Sequence, residues 1–261
     1  MSSFTLDKTI FNLSLYKSVR DTWFEGVPLD AADFDFAAAK RWFQATPEEK
    51  AIFDSKCRDN FAHALEAIGP EKFPEPTAEP FLQEIKEVAQ SNPGDGGATA
   101  AWSALAIVLL VDQMTRHIFR KGEGLVKVYN HYDKIAYSLV RALFSADSPI
   151  GRPDHHPQWR YSPPHRTWFY LPFIHSEDIE AHDIVQDIMD DMSKDAEEHN
   201  TGPGMKKLVE GGIKGEKEHR DILEKFGRYP HRNLALGRES TDEEKKFLSE
   251  GGSTFGVSQD E

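Results

Sequence analysis

The sequence predicts an all-α protein, either an α-solenoid or an irregular helical bundle of about ten helices. Three observations carry that expectation. Apolar residues recur at three- and four-residue steps almost throughout the chain. Helix-start signatures precede several of those stretches. No run of alternating Val, Ile and Thr is long enough to read as a strand.

Taken in order, Ile10, Leu13, Tyr16 and Trp23–Phe24 share one helical face. Phe34–Phe36 and Trp42–Phe43 open a second helical stretch. Thr46-Pro47-Glu48-Glu49 predicts a helix start with a cap, a first-turn proline and a capping box. That helix runs to a Gly69-Pro70 stop, and the prolines between Lys72 and Pro80 make a connector. Phe81 to Ala89 is a short amphipathic helix, followed by a Gly-rich turn from Ser91 to Gly97. Ala98 to Arg120 is the most apolar helix and is expected at the centre, with Leu125 to Phe144 as its partner.

Residues 145–162 form a Pro-rich loop insertion. Ser162 is expected to cap a short helix to Tyr170 that Pro172 ends or kinks. Ser176-Glu177-Asp178 starts a long helix to Met192, with Ser176 as cap, and Asn200 to Gly204 breaks it. Lys206 to Phe226 is helical despite Gly211, Gly212 and Gly215. Ser240 to Glu243 predicts a second capping box before the last helix. The chain reads as a single helical domain over 1–261, with a core from about 10 to 250 and a frayed polar tail over 251–261.

The chain has 261 residues and a net charge of −13. Such a surface repels phosphate backbones and anionic lipid, which argues against nucleic-acid and membrane partners. The most strongly apolar run, Ala104 to Val111, is far shorter than a membrane span. One cysteine, Cys57, excludes a disulfide scaffold and suits a reducing, cytoplasmic setting.

Three segments carry more chemistry than helix packing requires. In Asp112 to Arg120, Asp112, Arg116 and Arg120 are four apart and share a helix face. In Phe169 to Asp178, an aromatic turn containing Tyr170 delivers His175, Glu177 and Asp178 to a helix start. Between His219 and Arg238 the charge is +3, which leaves −16 for the rest of the chain. There Gly227 and Pro230 force a turn among Arg228, His231, Arg232 and Asn233. Arginine forks suit carboxylates and phosphates, and histidines move protons near neutral pH. No GxGxxG follows a strand, and no P-loop, GxSxG elbow, HExxH or paired CxxC is present. No cofactor is implied, and no metal-ligand set is assigned.

LLVDQMTRHIFR (Leu109 to Arg120), FYLPFIHSED (Phe169 to Asp178) and HRDILEKFGRYPHRNLALGREST (His219 to Thr241) come in an order that resembles the family known as domain of unknown function 924. Asp21 to Phe24 and Arg41 to Phe43 resemble its opening DFWF and RWF elements. The resemblance spans most of Val19 to Phe255. His117 stands where the family pattern has Asn, and Val111 separates its LL from its DQ. Residues 148–162 and 193–215 look like insertions able to line or cover a site. The resemblance implies an all-helical, tetratricopeptide-like fold and assigns no chemistry.

The functional expectation is a small-molecule protein that binds an anionic ligand, in one form a cofactor-independent enzyme. His175 and His231 would act as acid–base groups, oriented by Glu177 or Asp112. Arg116, Arg120, His219, Arg228, Arg232, Asn233 and Tyr170 would bind substrate. One alternative is a tetratricopeptide-like adaptor gripping an acidic peptide or C-terminal carboxylate. Another is that these motifs are purely structural ion networks. Substrate, reaction and oligomeric state are left open by the sequence.

Overall fold

A computed structural model describes residues 4–199 and 201–257. Among them the chain is helical with no strand, arranged as an irregular helical bundle. Eight longer helices carry the architecture: α1 (Leu13–Trp23), α2 (Pro47–Ala67), α3 (Glu79–Ser91), α4 (Ala98–Ile118), α5 (123–143), α6 (Ile179–Glu198), α7 (Pro203–Phe226) and α8 (Asp242–Ser249). Short helical turns lie between them.

Helix α4 is the axle. Ala104 to Val111 are essentially without exposure, and α1, α2, α3 and α5 pack around them. Its length and hydropathy would suffice to cross a membrane, but 83% of that stretch is buried inside the fold. Near its end, Leu109–Met114 widens into a π-helical turn, and α5 carries another at Val128–Tyr132. Val111, the residue separating Leu109-Leu110 from Asp112-Gln113, lies in the first. One extra residue in a helix is absorbed by such a turn, and these turns re-aim side chains at functional sites.

Local signals were obeyed where they had no competitor. Thr46 and Glu49 form the capping box of α2. Elsewhere tertiary partners moved the boundary. Asp178, not Ser176, caps α6 by accepting from the Glu180 amide, while Ser176 Oγ donates to the Phe173 carbonyl. Ser162 makes no cap; its hydroxyl meets His165 Nδ1 at 2.8 Å. Pro172 opens the short helix Leu171–Ile174 rather than ending one. The box before α8 is Thr241 with Glu244, one residue later than expected. Helix α6 continues to Glu198, and of the expected break Asn200 lies outside the described residues.

Helices α6 and α7 form a hairpin against the rest. Asp33, distant in sequence, accepts from the Met205 amide at 3.0 Å and so satisfies a donor in the first turn of α7. A Cβ on Gly204 would lie 2.3 Å from the Phe34 carbonyl oxygen, so only glycine permits this approach.

Candidate functional site

Asp112 sits in the π-turn of α4 and is fully buried. His175 Nδ1 lies 2.8 Å from Asp112 Oδ1, and Arg116 Nη2 lies 3.3 Å from the same oxygen. Burial pushes the Asp112 carboxyl up, but His175 and Arg116 outweigh it and hold the group well below the usual carboxylate range. An ionised carboxylate only accepts, so the His175 proton is on Nδ1 and Nε2 keeps its lone pair. Burial and then the Arg116 charge push His175 below its ordinary value, against the pull of Asp112. His175 is therefore a neutral imidazole with a fixed tautomer.

Arg116 also donates to Asp133 on α5 at 2.8 Å. Asp133 in turn faces Arg232 at 3.5 Å. The Arg232 guanidinium carbon lies 4.6 Å from the Tyr129 ring centre and 4.9 Å from that of Tyr229. Tyr129 comes from the π-turn of α5.

These groups surround a hollow of about 200 Å³. Its walls include Arg116, Arg120, Lys121 and Arg232 together with His175, His219 and His231, and no acid among the described residues. The acids that balance the arginines stand behind them. His219 is stacked by Phe255 at 3.7 Å, and its Nδ1 donates to the Gly215 carbonyl at 2.8 Å. Burial pushes the His219 imidazole down to about 3; burial and the Arg232 charge push His231 down to about 2.

The sequence-nominated residues therefore divide. Asp112, Arg116, Arg120, His175, His219, His231 and Arg232 line the hollow or orient a group that does. Arg120 is at its edge, held by Asp54 on α2. Glu177 is close by but orients no histidine: it accepts two bonds from Arg238, at 2.7 and 2.8 Å, and one from the Tyr229 amide. Burial raises its pKa, and Arg238 more than reverses this. Arg228 and Asn233 lie elsewhere. Both bind Glu244, Arg228 at 2.7 and 2.8 Å and Asn233 at 3.2 Å, fastening the 228–233 turn to α8. Tyr170 belongs to a separate buried cluster, where its hydroxyl accepts from Arg166 at 2.8 Å and reaches Asp154 at 3.1 Å.

Sequence reasoning missed Lys121, Tyr129, Asp133 and Phe255. Tyr129 and Asp133 are four apart in α5, a spacing that flags one face but not what it meets. Phe255 falls in the stretch expected to fray, yet Phe255 to Val257 fold back as one wall of the hollow. Phe255 also takes φ of 51°, a conformation that costs a non-glycine residue on the order of 1 kcal/mol. Replacing Phe255 by Ala should unstack His219 and raise its titration midpoint from about 3 toward the ordinary imidazole value, because burial is the leading cause of its depression. NMR titration of the imidazole measures this, and an unmoved midpoint would show that Phe255 is no cover. Among the described residues no group of three or more His, Cys, Asp or Glu could hold a metal ion.

A family model described as "Bacterial protein of unknown function (DUF924)" matches residues 19–252. The solved structure of a protein of unknown function from Agrobacterium tumefaciens is similar, with 30% identity, a TM-score of 0.55, and coverage of 91% of this chain and 98% of that one. No curated protein matches.

Proposed function

We propose, for a chain that belongs to the DUF924 family of bacterial proteins of unknown function, that the cationic hollow binds a small anionic molecule, with His175 as its acid–base group. One observation carries the reading. Arg232 is 7% exposed, its Nε is buried with no hydrogen-bond partner, and its one ion contact among the described residues is the 3.5 Å approach to Asp133. Buried donors are paired in nearly all native structures, and a buried guanidinium N–H without an acceptor is costly. A carboxylate or phosphate in the hollow supplies the missing acceptor, and Arg116 adds charge beside it.

His175 gives the site its chemistry. Its oriented Nε2 takes a proton from the bound molecule, and Asp112 stabilises the imidazolium that forms. In that form the protein is a cofactor-independent enzyme. The purely structural alternative requires every arginine to be locked to an acid. Arg228 and Arg238 each hold a carboxylate through two hydrogen bonds, whereas Arg232 meets its acid, Asp133, only through a 3.5 Å ion contact. The peptide alternative needs an extended groove, whereas this hollow has the volume of roughly seven waters. The lone cysteine and acidic surface favour a cytoplasmic location.

The test is a thermal-shift titration with inorganic phosphate at constant ionic strength. Wild-type protein should gain about 2–3 kcal/mol at a hundredfold excess over Kd. Arg232→Ala, checked for helicity by circular dichroism, should bind about tenfold to a hundredfold more weakly. Equal shifts in a folded variant would refute the site.

A further inference from the structure

The hollow has a second room. A cavity of about 350 Å³ lies beyond it, and His175 and His219 stand in the walls of both. Its character is opposite. Phe36, Phe43, Trp168, Leu171, Ile174 and Met189 line it, and Phe43 at 55% exposure leaves a large apolar ring open to solvent. Glu216 reaches the same cavity, but its carboxylate is engaged with His182 at 3.1 Å.

Three glycines, Gly211, Gly212 and Gly215, face this cavity from the middle of α7. None has a positive φ. A Cβ on Gly211 or Gly215 would meet nothing within 4 Å. Neither backbone conformation nor close packing requires glycine there, and each costs the helix about 1 kcal/mol relative to alanine. What they do is leave open space in the wall of the cavity they line.

We propose that the ligand is amphipathic, an alkyl carboxylate or alkyl phosphate whose anionic head sits beside Arg232 and Arg116 and whose tail passes His175 and His219 into the apolar cavity. This rests on the anion-site reading above. The wall of the hollow carries Arg116, Arg120, Lys121 and Arg232 and no acid, while Asp112, Asp133 and Asp54 pair the arginines from behind, and this favours an anionic head. An alkyl tail needs no hydrogen-bond partner, which is what apolar walls offer. The reactive position of such a molecule is the join between head and tail, and His175 stands there with Nε2 available.

The experiment is calorimetric titration of the full chain with phosphate, butanoate, octanoate and octyl phosphate. Each buried methylene is expected to tighten binding about fourfold, so octanoate, four methylenes longer, should bind about two-hundredfold more tightly than butanoate when its whole tail is buried. Gly215→Leu, and independently Gly211→Leu, should bring octanoate down to the butanoate affinity while phosphate affinity stays unchanged. Both variants should keep their melting temperature, since leucine is the better helix former. Octyl phosphate binding above octanoate would assign the head as phosphate; the reverse would assign it as carboxylate. Phosphate binding without any chain-length effect overturns the amphipathic ligand and leaves the anion site standing. A chain-length effect that survives both glycine variants overturns the placement of the tail. Failure of phosphate itself removes the anion site, and this inference with it.

Discussion

Replacing Asp112 by Asn should lower the melting temperature by roughly 6–12 °C. Asp112 is fully buried and joins three partners: His175, Arg116 and, at 2.6 Å, the Gln113 amide. Removing one member of a buried charged network costs about 3–5 kcal/mol, because the remaining charge loses its compensation without regaining water. Arg116 keeps its 2.8 Å bond to Asp133, which places the loss at the lower end, about 3 kcal/mol. In a chain of this size each kcal/mol moves the midpoint by about 2–4 °C. Differential scanning calorimetry reads the shift. The same variant should release the His175 tautomer, since an amide can either donate to or accept from Nδ1. Nitrogen chemical shifts of the imidazole should then report a mixture of tautomers. An unchanged midpoint would mean that the network contributes nothing to stability.

Lowering the pH from 6.5 to 5 should cost the fold several kcal/mol, well before carboxylates titrate. Burial pushes His165 down to about 4, His219 to about 3 and His231 to about 2. Above the unfolded value of about 6.5 these imidazoles are neutral in both states and contribute no pH dependence. Below it the unfolded chain takes up protons that the folded chain refuses. Stability therefore falls with pH, by about 1.4 kcal/mol per pH unit for each such group, until the folded midpoint is reached. Urea unfolding at pH 7.0, 6.0 and 5.0 measures the slope. His231→Gln should flatten it by one group's share. A flat stability curve over this window would show that the imidazoles are accessible to protons in the folded protein.

Much of the architecture is legible from local chemistry. Thr46, Pro47 and Glu49 declare the start of α2, and the apolar run through α4 declares the centre. The errors share a cause. At the last helix Ser240 and Thr241 both can cap, and each has an acid three residues on. Arg228 and Asn233 hold Glu244, so Thr241 wins. At α6, Ser176 and Asp178 compete, and Asp178 also receives the Tyr137 hydroxyl. In each case a residue distant in sequence selects between two locally adequate options.

The candidate site follows the same division. Its chemical alphabet was readable: Asp112, Arg116, His175, His219, His231 and Arg232 stand out from what helix packing requires. Their partners were not. Arg228, Arg232 and Arg238 occur on one short stretch with similar neighbours, yet Glu244 takes the first, Glu177 takes the last, and Arg232 lies between two tyrosine rings with Asp133 3.5 Å away.

Helix identity, the central segment and the cationic segment were set by the sequence itself, because periodicity, capping and charge act over a few residues. Tertiary structure alone decided which arginine of the 228–238 stretch meets its acid only at a distance, which tail residue closes the hollow, and that an apolar room adjoins it. Those outcomes depend on which side chains arrive from remote helices, and no local pattern records the distance between them.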